Sequence, residues 1–180
     1  MRDFFKIFKS AESKQIRGPA ELIDNYDPDL IHKLKADHKE LLHVYGQIKN
    51  LLDGHGSKSP RERNRKISAL IPRLKTIFVD HIMLENGRLY GQIKLAYSQD
   101  DDVIESVHAF KSQMSAIQKK VYSLLSSWTF DFITLSPHKF REQFRALGKS
   151  LGERINREEA SLYPFYEEIP NLHRANALIG

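Results

Sequence analysis

The sequence predicts an all-α protein, an antiparallel up-down-up-down four-helix bundle preceded by an N-terminal arm. Three observations predict it. Apolar residues recur with the spacing of one helical face in four separate segments. Each segment opens on a helix-start signal: Asp27-Pro28, Ser59-Pro60, Asp100-Asp101-Asp102 or Ser136-Pro137. The connections are short, and no stretch shows strand alternation of note. The expected organisation is an arm over 1–27, a bundle over 28–169 and a tail over 170–180.

A chain of 180 residues suits one domain with a real core. It has no cysteine, which excludes disulfides, thiolate metal sites, iron–sulfur clusters and cysteine nucleophiles. No Ser nucleophile context or Gly-rich phosphate loop stands out. The formal charge of +5 is dispersed among acidic residues, a solvated surface rather than a nucleic-acid stripe. No apolar run approaches the roughly 18–20 residues that span a membrane. The first nine residues carry charges within their apolar stretch and make a poor signal peptide, so the default location is cytoplasmic.

Taken in order, the arm holds Phe4, Phe5, Ile7 and Phe8, which suit packing across the bundle or docking on a protein partner or membrane surface. Helix one follows, with Asp27 as N-cap and an apolar face through Leu30, Ile31, Leu34, His38, Leu41, Leu42, Tyr45, Ile48 and Leu52. His38 lies within roughly 25° of the centre of that face, whereas His32 and His43 fall off it. Gly54-His55-Gly56 ends the helix. Helix two starts at Ser59-Pro60-Arg61-Glu62, and Pro72 predicts a kink or a split. Helix three, capped by Asp100, places Val103, Val107, Phe110, Met114, Ile117, Val121 and Leu124 on its face. Residues 129–135 read as an apolar connection. Helix four carries Phe140, Phe144, Leu147, Leu151, Glu158, Leu162 and Phe165, and Pro164 predicts its bend or end.

The centre of the argument is His81-x3-Glu85 in helix two. Four residues apart, the two side chains project from one face, beside Leu74, Ile77, Phe78 and Leu89. Polar groups in an apolar stripe are costly to bury unless something pairs them. Two readings follow from the pair alone: a core histidine bonded to a carboxylate, or part of a metal site built from facing helices. Helix four repeats the pattern. His81-x3-Glu85-x3-Leu89-Tyr90 aligns with Arg154-x3-Glu158-x3-Leu162-Tyr163. Two helical hairpins related by a pseudo-two-fold would bring Glu85 and Glu158 face to face.

These residues resemble the hemerythrin-like (HHE cation-binding) family over roughly 28–169. The resemblance is carried by Asp37-His38-x2-Leu41, His81-x3-Glu85, His108 and the run Arg-Glu-Glu-Ala-Ser-Leu-Tyr-Pro at 157–164. It implies a non-haem di-iron centre that binds, senses or reacts with O2, NO or peroxide. The implied ligands are His38, His81 and His108, with Glu85 and Glu158 bridging the irons. The sequence departs from the family where Arg154 replaces a histidine, since a guanidinium cannot ligate a metal. His108 also sits about 130° from the centre of its helix face, so it reaches the core through a π-bulge or a local rotation and is otherwise a surface histidine. His138-x3-Glu142 shares the spacing but lies some 16 residues before Glu158, roughly 24 Å along a helix, at the bundle's end. Two facing buried carboxylates need positive charge. Two metal ions, one ion plus Arg154, or Arg154 alone would supply it. The expected cofactor is therefore one iron, two irons or none, and the expected roles are sensing, iron handling or stress response. The alternative is a metal-free regulator that binds a protein partner through 1–27 and 129–135.

Overall fold

Four rods of helix run up and down the molecule in a computed structural model that describes residues 26–171. Helix α1 spans Leu30–Leu52 and α2 spans Pro60–Leu84. The second rod continues through a π turn at Glu85–Leu89 into α3, Tyr90–Ala96. Helix α4 covers Asp101–Ser127, and a short α5 covers Phe130–Leu135. The fourth rod is α6, Pro137–Arg157, a second π turn at Glu158–Leu162, and α7, Tyr163–Glu167. No strand occurs among the described residues. The arm and the tail, at 1–25 and 172–180, lie outside them.

The start signals act as local chemistry dictates. Ser59 Oγ accepts the Glu62 N–H at 3.2 Å, and Glu62 Oε2 accepts the Lys58 N–H at 2.8 Å. Asp100 Oδ1 accepts the Val103 N–H at 3.1 Å. Gly54 and Gly56 close α1 with φ of 94° and 73°, backbone that side-chain-bearing residues rarely adopt. Asp27 differs from its expected role. It builds a turn just ahead of the helix, with Oδ1 accepting from Asp29 N–H at 3.0 Å and its carbonyl from Leu30 N–H at 3.1 Å. The N-cap is Asp29.

Four further expectations need correction. Helix α2 runs unbroken through Pro72, which faces solvent, where water can satisfy the carbonyl it orphans. The apolar connection at 129–135 is a helix, capped by Thr129 Oγ1 accepting from Phe132 N–H at 3.1 Å. On α1 the inward residues are Val44 and Leu51, while Leu42 is 46 % exposed. Pro164 does not end the rod. It falls in the first turn of α7, where its missing N–H costs little.

The core is divided. One apolar cluster includes Leu41, Ile48, Leu74, Trp128, Phe140 and Phe144. Another, nearer the bundle's far end, includes Leu34, Leu89, Ile93, Val107, Leu162 and Tyr166. The buried polar residues His38, His81, Glu85, Arg154 and Glu158 come, along their helices, between residues of the first cluster and residues of the second.

Candidate metal centre

The two π turns set the register of this layer. Each begins at a glutamate, and each is closed by an i to i+5 bond: Tyr90 N–H donates to the Glu85 carbonyl and Tyr163 N–H to that of Glu158. On an unbroken α-helix Tyr90 would sit about 140° from Glu85, outside the core face. One extra residue in the turn brings it back by about 100°, and the same holds for Tyr163 after Glu158. Both tyrosines are accordingly buried, at 2 % and 0 % exposure.

His38 comes from α1, His81 from α2, Glu85 and Glu158 from the π turns, and Arg154 from the last turn of α6. His38, His81 and Glu158 each offer a donor atom, and the three atoms lie within 4.8 Å of one another. His38 Nε2 is 3.2 Å from Glu158 Oε2, and the two imidazole rings stand 4.7 Å apart. Glu85 Oε2 is 3.9 Å from His81 Nε2. Neither Glu85 oxygen has a hydrogen-bond partner among the described residues, although the side chain is 0 % exposed. Burial, then the charge of Glu158, pushes the Glu85 carboxyl well above the usual range, against the pull of Arg154.

Arg154 donates from Nε to Glu158 Oε1 and from Nη2 to the Tyr90 hydroxyl at 3.0 Å. Its guanidinium lies over the Phe110 ring, 5.0 Å from the centroid. His38 is fixed from outside the cluster. Its Nδ1 faces Glu159 Oε1 at 2.7 Å, and its Nε2 lies 3.2 Å from the Tyr163 hydroxyl. Burial lowers the His38 pKa, but the bonds to Glu158 and Glu159 outweigh it and the net shift is upward. Burial also raises both Tyr90 and Tyr163, so their hydroxyls keep their protons.

The donor set fits a cation. Ligand distances of about 2.0–2.2 Å put neighbouring donors on one ion roughly 3–4 Å apart, so this cluster sits slightly open for a single ion. A bare Nε2 lone pair 3.2 Å from a carboxylate oxygen, beside an orphaned carboxylate, lacks positive charge. A proton on His38 supplies some of it, and a metal ion would supply more.

Of the residues singled out in the sequence, the structure brings together His38, His81, Glu85, Glu158 and Arg154. It does not bring in His108. Helix α4 carries no π turn, so His108 follows the ideal 100° spacing onto the exposed face while Val107 and Phe110 turn inward. His138 and Glu142 are both exposed, as expected of the bundle's end. Sequence reasoning missed Tyr90, Tyr163 and Glu159. The available signal was the inward phase of Ile93 and Tyr166, about 80° off an unbroken helix from the preceding glutamate.

An all-α bundle with a buried His/Glu cluster between two apolar clusters defines a helical cation-binding domain. The chain belongs to the hemerythrin HHE cation binding domain family, whose family model matches residues 29–166. Domains of this family bind metal cations. Comparison with curated proteins gave no match, and neither did comparison with solved structures. No helix among the described residues is long and apolar enough to cross a membrane.

Proposed function

We propose that the protein holds one non-haem metal ion, with iron the best fit, and acts in sensing or handling O2, NO or peroxide. His38, His81 and Glu158 would hold the ion, with Glu85 as a further carboxylate donor. His and carboxylate donors suit iron, while zinc and manganese share them. The observation that carries this reading is the fully buried Glu85 carboxylate with both oxygens unpartnered, next to three convergent donors. A bound iron would supply one-electron chemistry and an open position for a small ligand.

The chain's own residues have three tasks in this reading. Glu159 orients His38 by accepting from Nδ1, which leaves Nε2 facing the cluster. The Tyr163 hydroxyl, 3.2 Å from that nitrogen, keeps its own proton and stands as a hydrogen-bond donor at the edge of the site. Arg154 neutralises Glu158 where a second ion would otherwise be needed. The direct Arg154–Glu158 pair also favours a second reading, a metal-free bundle acting through a protein partner.

Metal content separates them. The purified protein is loaded with ferrous iron without oxygen, desalted and assayed for metal per chain. One ion is expected, lost in His81→Ala. Arg154→His should raise the content toward two. Two ions in the wild type would remove the stand-in role of Arg154, and none in any variant would leave the metal-free reading.

A further inference from the structure

Arg154 has a second side. Its Nε and Nη2, which share one edge of the planar guanidinium, are both engaged, on Glu158 and Tyr90. Nη1, on the opposite edge, has no hydrogen-bond partner among the described residues, yet the side chain is only 4 % exposed. Arg154 also lines a cavity of about 430 Å³ between α4 and α6. That volume lies in the range of small-molecule sites.

The cavity wall is basic and polar. Arg157 lines it less than one turn beyond Arg154, and its guanidinium lies over the same Phe110 ring, 5.3 Å from the centroid. Arg157 Nη1 donates to Gln113 Oε1, also in the wall, at 2.7 Å. Ser150 and Asn156 add neutral polar groups. The single carboxylate in the wall, Glu153, is exposed and lies 3.9 Å from Lys149 Nζ. Both arginines therefore line the cavity, Arg157 exposed and held in place by a glutamine, Arg154 buried with its Nη1 unpartnered.

We propose that this cavity binds a small oxyanion between Arg154 and Arg157, and that its occupancy tightens cation binding at His38, His81 and Glu158. Guanidinium groups recognise oxyanions through paired N–H donors. An anion in this cavity, which Arg154 lines, draws the Arg154 charge away from Glu158. It also offsets the repulsion between that charge and an incoming cation. Both effects have the same sign, so anion and cation assist one another, and by linkage the assistance is reciprocal. The coupling rests on the metal-binding reading, whereas the anion site does not.

The test has two arms, each on the full chain. First, inorganic sulfate is titrated into metal-free protein at fixed ionic strength and followed by calorimetry. Saturable binding is expected, weakened about 10-fold or more in Arg157→Gln, as befits loss of a charge-assisted pair. Circular dichroism of that variant, with unchanged helicity, separates the effect from misfolding. No saturable binding, or equal binding in Arg157→Gln, overturns the site. Second, manganese affinity is measured with and without saturating sulfate. A tightening of about 5-fold is expected, absent in Arg157→Gln. Sulfate binding with unmoved manganese affinity overturns the coupling alone. Sulfate binding by a protein that takes no metal overturns the metal reading and leaves the anion site standing.

Discussion

The two hairpins of the bundle share a frame and differ in what they place on it. Both second helices widen into a π turn at a buried glutamate, and both then turn a tyrosine inward. One turn ahead of Glu85 the first hairpin presents His81, and its partner helix α1 presents His38. One turn ahead of Glu158 the second presents Arg154, and its partner helix α4 presents the ring of Phe110. The first half thus supplies two neutralisable donors that need a cation, and the second half brings a fixed cation of its own. Glu158 is claimed by both, through Arg154 Nε on Oε1 and His38 Nε2 facing Oε2 at 3.2 Å. On the proposed reading, the buried carboxylate pair is balanced asymmetrically, by a permanent charge on one side and an exchangeable one on the other.

Removing the permanent charge should have the largest effect. Arg154→Met keeps volume but leaves Glu158 without its guanidinium and frees the Tyr90 hydroxyl. Breaking one partner of a buried ion pair costs about 3–5 kcal/mol. Denaturant unfolding of metal-free Arg154→Met should show a loss of that order, largely recovered with saturating metal. A loss that metal does not recover would mean that the guanidinium and the ion are not interchangeable, and the comparison between the halves would break.

How much of this was legible in the sequence divides along the same line. Helical spacing alone placed His38, Glu85 and Glu158 near the centre of an apolar face and His81 about 40–50° from one, all four on the interior side. Arg154 stood out as a charge in a position where its counterpart is a histidine. The π turns were not legible from local signals, since neither carries a cap and Gly87 in the first has no counterpart in the second, so they show only as a phase shift in Tyr90, Ile93, Tyr163 and Tyr166. Glu159 was hidden for another reason. It is half-exposed and off the core face, and only the three-dimensional approach of α1 brings His38 Nδ1 to within 2.7 Å of it. The arm was read from composition, and its residues 1–25 fall outside those described.

Glu159 offers a smaller effect that sharpens the contrast. It braces the first half's histidine from the second half's helix, so it links the two without offering a donor to the ion itself. Glu159→Gln keeps an acceptor but loses the charge that favours the Nδ1–H tautomer. Metal affinity should fall about 10-fold, the lower end of what such outer carboxylates contribute. Metal-free stability should change little, because the side chain is 39 % exposed. Equal metal affinity in wild type and variant would show that His38 is held by Tyr163 and packing instead.

The smallest effect is the most discriminating about α4. A histidine pattern implies that His108 completes the second half as a ligand, whereas the helix turns it to solvent and seals that side with Val107 and Phe110. His108→Ala should therefore leave bound metal per chain unchanged and shift stability by no more than about 0.5 kcal/mol, the ordinary range for an exposed site. Loss of metal in this variant would require α4 to rotate by about 130° on loading. Such a turn would drag Phe110 off Arg154, and tryptophan fluorescence would have reason to respond, since Trp128 sits buried as the C-cap of the same helix. Metal titration of wild type with that signal flat, together with a silent His108→Ala, would leave the second half what its geometry makes it: the side of the site that carries its positive charge in the chain.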